Sequence, residues 1–304
     1  MPGHAGSDCY DDLRIAGLSR FSSVDWPGRL VATAFLQGCP WDSGYCHNPK
    51  LIDPRRSPAR FRGGRSSSCW TIGTACSTAS CSRGGEPTMQ RGLRAAAVRV
   101  RELGYDVGLH TGGAFPALLE PVLAEVSWIG LDVKAAPDGY AAVTRRAPSG
   151  RAALRSLDLV LAEQRAAPET SRPLEVEVRT TVHPDLIDDA TLGDLGRFLA
   201  DRGVRRWAVQ RFRPAGTRCG AASAAPLRLD GCRPSGSRAS SCAERDGRSG
   251  LEPSPSSENH ARLGPMRAIG PSLAAFSDDG AGSAHAAGGE GVAEVVGVLS
   301  GPGR

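Results

Sequence analysis

Residues 107–133 read VGLHTGGAFPALLEPVLAEVSWIGLDV. A short apolar run at Val107–Leu109, helical spacing of apolar residues over Phe115–Val126 and a second apolar run at Trp128–Val133 spell strand, helix, strand. Strands joined through a helix run parallel, because the crossover returns the chain to the same end of the sheet. The rhythm extends in both directions. Upstream, Leu30–Leu36 (LVATAFL) reads as a strand, and Thr88–Leu103 as a helix with Leu93, Ala97, Val100 and Leu103 inward and Gly104 as its stop. Downstream, Arg151–Arg165 reads as a helix, Leu174–Val182 as a strand, Thr191–Arg202 as a helix and Arg206–Phe212 as a strand. Alternation of Val with Glu in LEVEVRTTV predicts partial exposure of that strand. The fold class is α/β with a parallel sheet, either open or curled into a partial barrel.

Two stretches interrupt the rhythm. Between Arg65 and Arg83 the only large apolar side chains are Trp70 and Ile72, where a helix and then a buried strand are due. From Cys219 to Arg304 the chain is rich in Gly, Ser, Ala, Pro and Arg with no sustained period, the composition of a disordered tail. Within that tail, Val292–Leu299 is apolar enough for a strand or a short helix.

Composition narrows the function classes. The chain has 304 residues, 40% hydrophobic, with a formal charge of +5, and it lacks both an apolar run long enough to cross a bilayer and a basic, aromatic-interleaved surface for nucleic acid. Its start, MPGHAGSDCYDD, has no basic and apolar leader, so the expected compartment is the cytoplasm. Nine cysteines in such a chain point to metal, cluster or redox chemistry rather than a disulfide framework.

The chemistry concentrates directly after the first strand, in QGCPWDSGYCHNP (Gln37–Pro49). Cys39 and Cys46 with His47 on one loop suit a metal site, or equally two free cysteines, since a tetrahedral zinc site needs four ligands at tighter spacing. GGEP at Gly84–Pro87 is by itself a turn whose two glycines allow close backbone approach to a small ligand. Polar residues gather at the C-terminal ends of the expected strands: His110 and Thr111, Asp132 and Lys134, Arg179 and His183, Gln210 and Arg211. That edge carries the active site in parallel βα folds. Arg179 shares a strand face with Glu175 and Glu177, a charged row that either lines a barrel interior or is solvated.

Taken together, LRIAGLSRFSSVDWPGRLVATAFL (13–36), GCPWDSGYCHNP, GGEPT (84–88) and WIGLDVK (128–134) resemble the radical S-adenosylmethionine enzymes. The likeness is to their glycyl-radical-activating branch, and most to the activating proteins of anaerobic ribonucleoside-triphosphate reductase. The resemblance implies a partial (β/α)6 barrel over 13–214, a flexible 1–12, a damaged second βα unit within an atypical 51–83, and a disordered 215–304. It implies a [4Fe-4S] cluster and S-adenosylmethionine as cofactors. Cys39 and Cys46 fall on two of the family's three cluster cysteines, and Ser43 occupies the third position, a harder and more basic donor with which a cluster should assemble poorly. Tyr45 takes the aromatic position near the adenine. Gly84, Gly85 and Glu86 match the segment that contacts the cofactor's amino group, and Thr111 the loop after the third strand. Asp132 and Lys134 match the D-x-K segment near the methionine carboxylate and ribose, and Arg179 is a further cofactor contact.

The implied activity is reductive cleavage of S-adenosylmethionine to a 5′-deoxyadenosyl radical, which takes hydrogen from a glycine of the partner reductase. A flavodoxin or similar protein would donate the electron, and no nucleic acid or membrane takes part. No general base, nucleophile or triad is needed. Family-like wording stops and resumes abruptly around 53–83 and ends after 217, as a shifted reading frame would produce. Two other readings stay open on the sequence: a different radical enzyme, of the pyruvate formate-lyase activating or 7-carboxy-7-deazaguanine synthase type, and a non-catalytic α/β module holding zinc through Cys39, Cys46 and His47.

Overall fold

In the computed structural model, residues 13–56, 79–166 and 173–218 are described, together with the backbone of 295–300. They form one eight-stranded sheet whose spatial order is the order of the chain: β1 (Ile15–Ser22), β2 (Val31–Leu36), β3 (Ala79–Arg83), β4 (Asp106–Thr111), β5 (Trp128–Asp132), β6 (Glu175–Val182), β7 (Arg206–Arg211) and β8 (Val295–Ser300). Strands β2 to β7 are parallel throughout. Strands β1 and β8 close the two sides as antiparallel partners of β2 and β7. Six parallel strands in sequential order, with helices between them, make the expected partial (β/α)6 barrel.

Among the described residues, five helices serve as crossovers or pack beside them: α1 (Leu93–Glu102), α2 (Pro116–Leu123), α3 (Tyr140–Thr144), α4 (Ser149–Ala166) and α5 (Asp189–Asp201). Each longer helix buries the apolar stripe that its spacing predicts. In α1 these are Leu93, Ala96, Ala97 and Val100, and in α4 Ala153, Leu157, Val160 and Leu161. The α5 start is fixed by Asp188, whose carboxylate accepts the Thr191 N–H at 2.8 Å. The main core lies between these stripes and the outer face of the sheet.

A second cluster lies at the other end. Trp26, from the β1–β2 loop, stacks on Trp128 with ring centres 5.6 Å apart, and Val31, Ala79 and Cys81 complete the group. Val31, Ala79 and Trp128 are the first residues of β2, β3 and β5, so this cluster forms the floor of the barrel.

Four expectations change here. The second unit is not missing its strand, because Ala79–Arg83 pairs with β2 on one side and β4 on the other. Its small side chains carry no apolar signal of their own, and Trp26 supplies the bulk beside them. Residues 51–56 are likewise ordinary parts of the fold: Leu51 is buried against Phe35, and the carbonyls of Leu51 and Ile52 accept N–H groups from Gly38 and Cys39. The place where the rhythm calls for a helix in that unit lies within 57–78, outside the described residues, as do 1–12, 167–172 and 219–294. The tail 215–304 is not without structure throughout, since residues 295–300 form β8, the strand allowed by its apolar patch, and satisfy the open edge of β7. Finally, β6 is buried almost along its length rather than partly exposed, because its glutamate face turns into the barrel.

Candidate active site

The cysteine loop leaves β2 at Leu36 and crosses the C-terminal edge of the sheet. Its path is fixed by backbone bonds: Gly38 N–H to Leu51 O at 2.8 Å, Cys39 N–H to Ile52 O at 3.0 Å, Asp42 N–H to Thr144 O at 2.9 Å and Cys46 N–H to Ser43 O at 3.1 Å. Gln37 reinforces this from its side chain, donating to the carbonyls of Asp53 at 2.8 Å and Lys50 at 3.1 Å. From the C-terminal side, Arg218 pairs with Asp42 and donates to Ser43 O at 3.3 Å, and the His47 ring meets Arg213 O at 3.1 Å.

The GGEP segment is stitched beneath this loop. Glu86 N–H donates to Gly38 O at 2.7 Å. Gly84 and Gly85 have φ of +75° and +55°, and a Cβ on Gly85 would lie 2.4 Å from Gly38 O and 2.6 Å from Leu36 O. The backbone therefore runs against the cysteine loop as only glycine permits. Glu86, 1% exposed, reaches across to the loop after β4. Its Oε1 accepts Thr88 N–H at 3.2 Å, Thr88 Oγ1 at 2.7 Å and Thr111 Oγ1 at 2.5 Å, and its Oε2 accepts Gly112 N–H at 2.9 Å. Its carboxylate thus brackets two loops of the site together.

Aromatic rings and one ammonium complete the mouth. Lys134 Nζ lies 5.7 Å from the Trp41 ring centre, 5.8 Å from that of Tyr45 and 3.8 Å from Asp132 Oδ2. Burial disfavours its charge, but Tyr45, Asp132, Cys39 and Cys46 outweigh burial and hold the ammonium above its usual range. Burial pushes the Cys39 thiol up to about 12, with Glu86 adding to the effect. Tyr45 is buried rather than a surface aromatic, packs against His183 and Phe212, and its hydroxyl has no hydrogen-bond partner among the described residues.

Below the mouth, charged groups line the barrel. Arg179 Nε donates to Glu177 Oε1 at 2.7 Å, its Nη1 donates to His110 Nδ1 at 3.1 Å, and its guanidinium covers Trp128. His110 Nε2 in turn donates to Asp25 O at 2.6 Å. This ring is neutral: burial and the Arg179 and Arg83 guanidiniums press its pKa well below the ordinary value. Asp25, also buried, is paired with Arg83 and accepts Thr33 Oγ1 at 2.7 Å. Burial favours its neutral form, yet Arg83 and the hydroxyl bonds prevail and hold its carboxyl far below the usual range.

The predicted residues therefore come together. Cys39, Ser43, Cys46, Tyr45, Gly84, Gly85, Glu86, Thr111, Asp132 and Lys134 share the C-terminal edge, and Arg179 sits within the barrel beneath them. Glu175 stays exposed at the start of β6, while Gln210 and Arg211 are half-buried at the end of β7. The charged row on β6 is an interior one. Asp25 and Arg83 carry no local signal as site-supporting groups, and His183, just past the end of β6, has its ring centre 4.3 Å from that of Phe212 and 6.1 Å from that of Tyr45. Among the described residues, no three His, Cys, Asp or Glu side chains, Cys39, Cys46 and His47 included, converge on one metal position.

No protein-family model matches the chain. A Methanocaldococcus jannaschii protein provisionally named a glycyl-radical enzyme activating enzyme is 26% identical over 208 residues, covering 66% of this chain and 80% of that protein. Among solved structures, TYW1 with a lysine–pyruvate adduct aligns at 12% identity and a TM-score of 0.44, over 62% of this chain and 66% of that one. Streptococcus suis SuiB bound to S-adenosylmethionine aligns at 13% and 0.43, over 60% of this chain and 41% of that one. Escherichia coli QueE aligns at 16% and 0.36, over 68% and 99%.

The resemblance read from the sequence implies a [4Fe-4S] cluster and S-adenosylmethionine. The residues present offer such a cluster two thiols, Cys39 and Cys46, and one buried hydroxyl, Ser43 Oγ, that no other group among the described residues engages, each of which would have to give up its proton on binding. They fit it with oxygen in the third place.

Proposed function

We propose that this chain is an activating enzyme that installs a glycyl radical on anaerobic ribonucleoside-triphosphate reductase, with a flavodoxin-like protein as its electron source. The observation that carries this reading is the Glu86 bracket, which joins the cysteine loop, GGEP and the Thr111–Gly113 loop into one surface at the C-terminal edge. The 26% identity to a relative named for glycyl-radical enzyme activation supports it.

When bound, a cluster and S-adenosylmethionine supply hydrogen abstraction through one-electron cleavage of the sulfonium–carbon bond. The chain's own residues do the rest. Cys39, Cys46 and Ser43 would hold the cluster. Gly84 and Gly85 offer a backbone that a small zwitterion can approach closely, and Glu86 fixes the two loops it must fit between. Lys134 places a permanent positive charge beside this site for a carboxylate, Asp132 presents an acceptor to ribose hydroxyls, and Tyr45 offers a ring face to adenine. Trp41, Tyr140 and Phe212 exclude water, which protects a reactive radical from quenching. Arg179, held by Glu177 and His110, keeps the inner wall rigid.

The test is anaerobic reconstitution of the full chain with ferrous iron and sulfide, followed by S-adenosylmethionine and dithionite. Release of 5′-deoxyadenosine, and a glycyl-radical doublet on added reductase by electron paramagnetic resonance, are the expected results. Cofactor cleavage without a doublet would redirect the reading to another radical enzyme. Zinc retained in place of iron, with no cleavage, would end it.

A further inference from the structure

The cysteine loop contains two buried hydroxyls without a hydrogen-bond partner among the described residues, the Tyr45 phenol and Ser43 Oγ. Ser43 is 6% exposed, and its Oγ has no hydrogen-bond partner among the described residues. Native structures rarely leave a buried hydroxyl unpaired, because desolvation is then uncompensated. The backbone around it is well held. Cys46 N–H closes a turn on Ser43 O, and Arg218 grips the same carbonyl from outside while pairing with Asp42. Loose packing is therefore a poor explanation for the idle hydroxyl. Residue 43 stands between the two cysteines of the same loop.

We infer that Ser43 Oγ is the third protein ligand of the iron–sulfur cluster in this chain, beside the sulfurs of Cys39 and Cys46. The inference rests on the proposed cluster site. On binding, the hydroxyl proton passes to solvent and the alkoxide oxygen bonds one iron, with no electron transferred. Oxygen is a harder donor than sulfur and favours ferric iron, so this cluster has a lower reduction potential than one held by three thiolates. Metal binding thereby satisfies the oxygen that the protein alone leaves idle.

The experiment compares the full chain with Ser43→Ala and Ser43→Cys after anaerobic reconstitution with ferrous iron and sulfide. The readouts are iron and sulfide per chain, the Mössbauer spectrum and the reduction potential. Far-ultraviolet circular dichroism of each apo chain separates loss of a ligand from loss of the fold. The expected result is a native cluster with one iron site of oxygen-ligated character, absent in Ser43→Cys, whose potential is higher. Ser43→Ala should retain about tenfold less iron after desalting, the scale at which even outer partners of metal ligands act. Should Ser43→Ala misfold, the comparison of native chain with Ser43→Cys decides alone.

Equal iron and identical spectra in the native chain and Ser43→Ala overturn the inference while leaving the cluster site intact. So does a native chain that takes up no iron when Ser43→Cys does. If none of the three takes up iron, the proposed function itself falls and the inference with it.

Discussion

Glu86 Oε2 accepts the backbone N–H of Gly112 at 2.9 Å, while Oε1 of the same carboxylate accepts the backbone N–H of Thr88 at 3.2 Å. Each oxygen thus faces a donor whose direction cannot be reversed. In Glu86→Gln the side-chain amide must turn its NH2 toward one of them, whichever way it is flipped. We expect a loss of about 1–3 kcal/mol, the cost of a buried donor left without an acceptor. A urea midpoint unchanged by this substitution would show that the bracket is dispensable.

Gly85 offers a test of the close approach between GGEP and the cysteine loop. In Gly85→Ala the new methyl meets two backbone carbonyls at 2.4 and 2.6 Å, so backbone strain adds to the left-handed conformation at a combined cost of about 2–5 kcal/mol. Gly104 is the control, with φ of +87° and nothing within 4 Å of the place a methyl would take. Gly104→Ala should cost only the conformational part, about 1–2 kcal/mol. Thermal unfolding of the pair measures the difference; equal losses would mean that the loops do not touch as described.

Arg83 lies in the stretch whose composition departs from the rest, yet it ends β3 paired to the buried Asp25. Removing one partner of a buried pair strands the other charge, so Arg83→Ala should destabilise the chain by about 3–5 kcal/mol. A loss under about 1 kcal/mol, the surface-pair range, would show that β3 is not seated by this contact, and would favour a shifted reading frame there.

Stability should fall in mild acid. The ordinary histidine value is 6.5, and in the folded chain both His110 and His47 are depressed below it, His110 strongly. Below pH 6.5 the unfolded chain therefore binds protons that the folded chain refuses, and stability declines as pH drops. Asp25, whose folded pKa lies below its ordinary 3.8, adds a loss of the same sign at still lower pH. Chemical denaturation between pH 8 and pH 5 should show the first decline, and His110→Gln should flatten it. A stability that is constant across that range would contradict the buried neutral ring.

Much of the barrel was legible because β4, β5, β6 and β7 announce themselves: Val107 and Leu109, Ile129 and Leu131, Val176 and Val178, Trp207 and Val209 are apolar in the right periods. Strand β1 was not, since IAGLSRFS at the sheet edge shows no alternation. Strand β3 was hidden for a different reason. Ala79, Cys81 and Ser82 are small; the apolar mass beside Ala79 and Cys81 belongs to Trp26, more than fifty residues away in the chain, and Ser82 faces Leu93, Ala97 and Val100 of α1. At the site, the cysteines, GGEP and D-x-K were visible as wording, and the structure brings them together. The Asp25–Arg83 pair and the packing of His183 on Phe212 were not visible, because each joins positions that no local pattern relates.

The DWPG loop has a further consequence. Trp26 and Trp128 fill the narrow end of the strands, so a molecule travelling down the barrel axis meets a stopper rather than a passage. Chemistry at the opposite edge then takes place in a flask with one neck. Under the activity proposed above, a target peptide would present its reactive carbon through that neck as a narrow loop and, once seated, would close it to oxygen and water.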